Sequence, residues 1–350
     1  MFLPYIHIMI DSLLQNRTYL HDRHRLSHQQ IDRWLGENRS GEFLQEKMRQ
    51  LEMVHLFLLI TDKLKENNIP FVPMKGPLLS LRLYGDPAVR VLHDLDLLID
   101  KKHLEDVIKL MQSEGFEFAN NFIWPKEKYR QKLIIRNIHH IGFFNRQNHL
   151  LVEIHWVLTS KLAIPVKKVE KIISENLTTT TFAGRNFTVL NKEFELLFLL
   201  LHGARHGWSR LKWLADISEY ARQEINENLF LQLAGQLKAK RIIVQTNYLL
   251  MKYFNTKLPV TREKHIPKQM LRFAEQNIVK TITSERLSSK EIIENFRYQW
   301  FLFPGIHYKL IHFSCMFVRP LDVMTNNLPS KTAYYFYRPY SFIKRRVLHG

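Results

Sequence analysis

Leu92-His93-Asp94-Leu95-Asp96-Leu97-Leu98-Ile99-Asp100 sets two aspartates among apolar residues. A strand over 92–99 puts alternate side chains on opposite faces. Leu95, Leu97 and Ile99 then enter a core. Asp94 and Asp96 share the other face, their Cα atoms roughly 6.6 Å apart at about 3.3 Å per residue. Carboxylates that close repel unless a cation neutralises them. Mg²⁺ is such a cation, since it takes carboxylate oxygens and completes its shell with water and phosphates. The pair equally suits two solvent-facing residues of an antiparallel strand. On repulsion alone, Asp96→Asn is expected to leave the fold unchanged or firmer.

Leu150-Leu151-Val152-Glu153-Ile154-His155-Trp156 repeats the alternation. Val152, Ile154 and Trp156 share one face, and Glu153 and His155 share the other. If this strand lies beside the first, Glu153 becomes a third carboxylate. Two metals about 3.5–4 Å apart activate an attacking oxygen and stabilise a leaving phosphate. Read plainly, Glu153 is a surface residue and His155 a satisfied buried histidine. Upstream, Met74-Lys75-Gly76-Pro77 offers a charge, a close backbone approach and a helix start with free N–H groups, which suits an anion. Arg90, four residues before Asp94, either reaches the same phosphates or is a surface arginine.

Around these segments the spacing predicts strands at 71–74 (an edge, because of Pro73), 92–99, 139–144 and 150–158, and helices at 78–84 and 103–113. Residues 28–68 read as helices, with Leu44, Met48, Leu51, Val54 and Leu58 forming one apolar stripe. After about residue 190 only helical patterns remain: 193–206, 211–222, 228–254 and 265–282. A Ser288 to Glu291 capping box precedes one more. The expected fold is α+β, a small mixed-sheet core with a predominantly helical C-terminal region. Its parts are an N-terminal helical segment (1–69), the core (70–190), a helical region (191–305) and a basic aromatic tail (306–350).

His202 and His206 stand four apart on one predicted helix, followed by Trp208, Arg210, Trp213 and Asp216. Such a pair can bind zinc, but no third ligand follows at a telling spacing. A wall facing the site, or plain packing, is expected.

With 45% hydrophobic and 24% charged residues, the 350-residue chain is globular rather than disordered. A single cysteine, Cys315, rules out an intrachain disulfide. No apolar run reaches the roughly 18 residues of a membrane span. Residues 1–14 are broken by Pro4, His7 and Asp11 and make a poor signal peptide. A cytoplasmic location without a transmembrane segment is expected. Net charge is +18 but uneven: residues 71–160 hold 12 Lys/Arg against 10 Asp/Glu. Residues 306–350 hold seven (Lys309, Arg319, Lys331, Arg338, Lys344, Arg345, Arg346) against Asp322 alone. Interleaved with Tyr334, Tyr335, Phe336, Tyr337 and Tyr340, this tail suits an anionic partner or, more plainly, a solvated face with aromatic core contacts.

The run Lys75-Gly76, Leu83-Tyr84, Arg90, Asp94 to Ile99 resembles the uncharacterised bacterial nucleotidyltransferase family of the polymerase-β-like superfamily. Val152 to Trp156 does so too, as do His202, Trp208, Arg210-Leu211, Trp213-Leu214 and Asp216-Ile217. Arg319-Pro320, Leu328-Pro329, Tyr334-Tyr335 and Arg338-Pro339 complete the resemblance. It implies metal carboxylates at Asp94 and Asp96, a third at Glu153, and the glycine turn at Gly76. The sequence departs in having Gly76-Pro77 where the superfamily has Gly-Ser or Gly-Gly. A further departure is the 17 residues between Gly76 and Asp94, and another is Glu as third carboxylate.

The expectation is therefore an enzyme that binds an NTP (ATP among the candidates) with Mg²⁺ or Mn²⁺ and passes its nucleotidyl group to a hydroxyl or phosphate of a small molecule, peptide, protein or RNA. Lys75, Gly76 and Arg90 would bind the triphosphate, and His155, His202, His206 and Asp216 would line the acceptor pocket. The alternatives are a non-catalytic nucleotide- or nucleic-acid-binding protein of the same fold, and a membrane-surface protein using the tail from Arg319 to Arg346. If the tail binds an anion, changing Lys344, Arg345 and Arg346 together to Ala weakens that binding and flattens its salt dependence. An unchanged salt slope in a titration with the partner makes the tail a solvated face.

Overall fold

The computed structural model describes residues 12–37, 40–159, 162–259, 266–280, 288–314, 322, 326 and 328–347. The strands are β1 (Phe71–Pro73), β2 (Asp94–Ile99), β3 (Glu117–Phe118), β4 (His140–Asn145), β5 (Leu150–His155), β6 (Leu177–Phe182) and β7 (Arg185–Leu190). The helices begin with α1 (His28–Leu35), α2 (Ser40–Glu66), α3 (Pro77–Tyr84), α4 (Leu104–Ser113), α5 (Lys128–Asn137) and α6 (Val166–Glu175). They continue with α7 (Lys192–Arg205), α8 (Leu211–Ala221), α9 (Glu227–Gln236), α10 (Lys240–Phe254), α11 (Lys268–Val279), α12 (Ser289–Leu302), α13 (Ile306–Ser314) and α14 (Lys331–Val347). The class is α+β, as expected. No helix among the described residues is long and apolar enough to cross a membrane.

Two compact units interleave along the chain: 1–55, 76–92 and 191–303 form one, and 56–75, 93–190 and 304–350 form the other. Helix α2 runs through the junction at 55/56.

The second unit holds a five-stranded mixed sheet of order β1-β2-β5-β4-β3. β2 and β5 are parallel, and the other pairs are antiparallel. Pro73 lies on edge strand β1, where a missing N–H costs no ladder bond. The register stacks Leu95 beside Val152 and Leu97 beside Ile154, with Phe143 and Ile141 next across. All six are buried and form the core side of the sheet. Helix α4 buries Leu104, Val107, Ile108 and Met111, at the spacing of one helical face. A second sheet, the hairpin β6-β7, turns on Ala183-Gly184, both with positive φ. Its Phe187 ring lies 5.4 Å from Phe57 and 6.5 Å from Phe71, centroid to centroid. In the tail, Tyr334 is buried and donates to the Asn326 carbonyl at 2.7 Å, while Phe336 and Tyr340 are exposed. The lone acid Asp322 is buried and accepts from Ser341 at 2.9 Å. Cys315 and Arg319 lie outside the described residues, as do the side chains of Lys331, Tyr335, Lys344, Arg345 and Arg346.

Details differ from the sequence reading. Residues 228–254 form two helices, broken at Leu237–Ala239, with Lys238 in left-handed backbone. On α2, Leu44, Met48 and Leu51 are exposed, and the buried face is Val54, Phe57, Thr61 and Leu64. The spacing was helical, but only the later turns meet a core.

In the helical unit, Gly203 on α7 allows the chain to fold back on itself. Trp208 takes left-handed backbone, is fully buried, and donates its indole N–H to Gln245 at 3.0 Å. A Cβ at Gly203 would lie 2.4 Å from the Trp208 ring. Alanine ordinarily favours a helix over glycine by about 1 kcal/mol. Here overpacking outweighs that, and Gly203→Ala is expected to cost about 1–3 kcal/mol net. A lower urea midpoint is the expected result, and an unchanged or higher one refutes the close packing.

Candidate active site

The sheet face opposite the core carries the acidic residues. Asp96 and Glu153 are register partners on β2 and β5, and His155 and His140 are partners on β5 and β4. Asp96, Glu153 and His155 bring one ligand atom each within 4.8 Å of one another. Asp94 sits two residues earlier on the same face, beside Leu151 and half-buried. Parallel pairing thus joins two segments 57 residues apart in the chain.

Asp96 is buried, and two cationic groups answer it. The Lys75 ammonium lies 3.0 Å from Oδ2, and His155 Nε2 lies 3.0 Å from Oδ1. Met74 N–H donates to the Asp96 carbonyl at 3.1 Å, which anchors the backbone next to Lys75. Glu153 contacts His155 Nε2 at 3.3 Å and His140 Nε2 at 3.6 Å. Burial by itself would lower the His155 pKa, but the hydrogen bonds to Asp96 and Glu153 overcome it and raise it above the ordinary value. His140 is lowered, by burial first and then by the neighbouring His155 charge. These contacts reverse the expectation for Asp96→Asn: neutralising Asp96 removes the charge that faces the half-buried Lys75 and the buried His155, which is expected to destabilise the metal-free fold.

The donor chemistry fits a dication. Two adjacent carboxylates, one buried and drawing positive charge onto itself, supply the oxygens that Mg²⁺ takes. Mn²⁺ shares that taste for oxygen, and the neighbouring imidazole suits zinc, copper or nickel better.

A family model described as an uncharacterised nucleotidyltransferase matches residues 18–255. The chain belongs to that family. No curated protein matches it. The lincosamide antibiotic adenylyltransferase LnuA, in its lincomycin-bound crystal structure, is 15% identical with a TM-score of 0.29, over 41% of this chain and 82% of its own. The antibiotic-resistance factor ANT(2'')-Ia is 12% identical with a TM-score of 0.32, over 57% and 92%. An antigenic nucleotidyltransferase-like protein from Paracoccidioides brasiliensis is 20% identical with a TM-score of 0.35, over 59% and 94%. Overlaps this slight carry no activity or substrate across.

In this member of the nucleotidyltransferase family the other singled-out residues lie in the helical unit. Gly76 has φ 83°, open to glycine but strained for other residues, and it caps α3 with Pro77 at the first helical position. Arg90 is not a surface arginine. It is buried and donates from Nε to Asp216 at 2.8 Å, and Asp216 also accepts from the Tyr84 hydroxyl at 2.9 Å. His202 and His206 pack ring to ring at 4.6 Å, 5.4 and 5.1 Å from Trp213. A second buried carboxylate, Glu195, which the sequence reading passed over, accepts from Arg82 at 2.8 Å and from Tyr220. The sheet unit also contains a cavity of about 560 Å³, lined by Phe71, Leu98, Trp156, Val169 and Phe187, which no motif announced.

The raised His155 pKa makes a signed prediction for the metal-free protein. Its stabilising contribution is fully present below the unfolded histidine value of about 6.5 and is lost as pH rises through the raised folded value. The stability gap between wild type and His155→Gln in chelator should therefore be widest near pH 6 and narrow above it. Denaturant titrations across pH 5.5–8.5 check this, and a gap that widens with pH contradicts it.

Proposed function

We propose that the sheet face bearing Asp94, Asp96 and Glu153 binds a nucleoside triphosphate with Mg²⁺ or Mn²⁺, and that the chain moves the nucleotidyl group to an acceptor hydroxyl or phosphate. The observation that carries this reading is the side-by-side placement of Asp96 and Glu153, in a chain of a nucleotidyltransferase family. An acceptor oxygen attacks the α-phosphorus, one P–O bond forms, the bond to pyrophosphate breaks, and a hydroxyl acceptor gives its proton to Glu153. Asp94, Asp96 and Glu153 would hold the metal, which when bound supplies positive charge against the phosphate oxygens. Lys75 pairs with the Asp96 carboxylate and aligns it. His155 does the same from the other side and restrains Glu153. Gly76 shapes the turn after Lys75. Arg90, Asp216, His202 and His206 act as framework of the helical unit. The acceptor is a small molecule, peptide, protein or RNA, and each class leaves its own labelled product.

Incubating the protein with each labelled NTP, Mg²⁺ and cell extract should label one acceptor class. Asp96→Asn keeps the shape but removes one carboxylate charge. Its transfer rate should fall on the order of a hundredfold or more, at about 1.4 kcal/mol per tenfold. Its metal-free stability should fall by about 1–3 kcal/mol, because the carboxylate charge facing Lys75 and His155 is gone. Rates are compared at a temperature where circular dichroism shows both proteins folded. A folded Asp96→Asn protein that transfers at the wild-type rate sinks the reading.

A further inference from the structure

We propose that His139, His140 and His155 form a binding site for a transition-metal dication of the zinc class, distinct from the carboxylates that would take Mg²⁺. Each imidazole brings one nitrogen within 4.8 Å of the other two. His140 and His155 face each other across β4 and β5, their rings stacked with centroids 4.8 Å apart. His139, just before β4, places its ring 4.4 Å from His140 and 5.6 Å from His155.

A second observation points independently to a ligand. Nδ1 of His155 is buried and has no hydrogen-bond partner among the described residues, and the same holds for Nδ1 of His140. His155 as a whole is only 6% exposed. A buried polar atom without a partner is costly and asks for an explanation. The other nitrogens are engaged: Nε2 of His155 with Asp96 and Glu153, and Nε2 of His140 near Glu153. Metal-bound histidines characteristically hold the ring N–H on a carboxylate and turn the other nitrogen to the ion. His155 has the carboxylate half of that arrangement already in place.

Three imidazoles suit zinc and its neighbours, whereas Mg²⁺ prefers oxygen. Zinc–nitrogen bonds of about 2.0–2.1 Å need the three nitrogens to draw together slightly, which side-chain rotation at the half-exposed His139 and His140 permits. Three protein ligands leave a fourth position open. Asp96 and Glu153 then orient the histidines on this side and offer oxygens on the other, so one strand pair serves two kinds of cation. The inference stands on the histidines and does not require nucleotide transfer.

The test uses the full chain, washed with chelator and titrated with Zn²⁺ against a competing chromophoric chelator, in excess Mg²⁺ and without nucleotide. One equivalent of Zn²⁺ should bind, and it should raise the melting temperature. The variant His139→Ala/His140→Ala should bind Zn²⁺ at least about a hundredfold more weakly and lose the thermal shift, while melting within a few degrees of wild type in chelator. If that variant misfolds, Co²⁺-loaded wild type answers alone: X-ray absorption should show imidazole scattering from three ligands. No stoichiometric Zn²⁺ in wild type, an unchanged affinity in a folded double variant, or a Co²⁺ shell without imidazole each overturns the site. Transfer activity enters none of these readouts, so failure here is separable from failure of the nucleotidyltransferase reading.

Discussion

Everything at the candidate site depends on the parallel pairing of β2 with β5 in the one register that sets Asp96 beside Glu153. A slip by one residue would exchange the two faces, sending the carboxylates into the core and the leucines out. Leu95, Leu97, Val152 and Ile154, with Ile141 and Phe143 next to them, are buried together and hold the register. The hydrophobic face thus enforces the position of the acidic one.

Packing carboxylates on a largely covered face has a cost, and the molecule meets it the same way several times. Asp96 is matched by Lys75 and His155. In the helical unit, Asp216 is matched by Arg90 with a hydroxyl from Tyr84, and Glu195 by Arg82 with a hydroxyl from Tyr220. Each of these three acids has one full cation and one further donor. The two helical-unit clusters tie the segment after Gly76 to α7 and α8, and neither contains the kind of nitrogen that a metal would seek. The Asp96 cluster differs in that its second donor is an imidazole with a nitrogen to spare.

The two central strands were legible because strict alternation of acid and apolar residues has few other uses, and the edge character of β1 followed from Pro73. Other elements were readable in principle and passed over. Pro165 before Val166, with Val169 and Ile172 three apart, marks α6, and Ala183-Gly184 between two Thr- and Phe-bearing runs marks the β6-β7 hairpin. The break between α9 and α10 was hidden by an apolar pattern that continues through it. Arg90 looked like a free cation because its partner lies 126 residues away. The role of His139 and His140 was invisible for a similar reason: only the pairing of β4 with β5 brings them to His155.

The interleaving of the two units governs the order in which the chain can be completed. Residues 56–75 and 93–190 emerge from the ribosome as a nearly continuous run and contain the whole five-stranded sheet. The helical unit draws on residues before 56 and closes only after 191–303 have followed. During synthesis α1 must therefore wait, its buried Ile31 without its final neighbours, while the sheet assembles downstream. No single cut releases either unit intact. A fragment encoding the carboxylates alone would also lack the residues from 304 onward that belong to their unit.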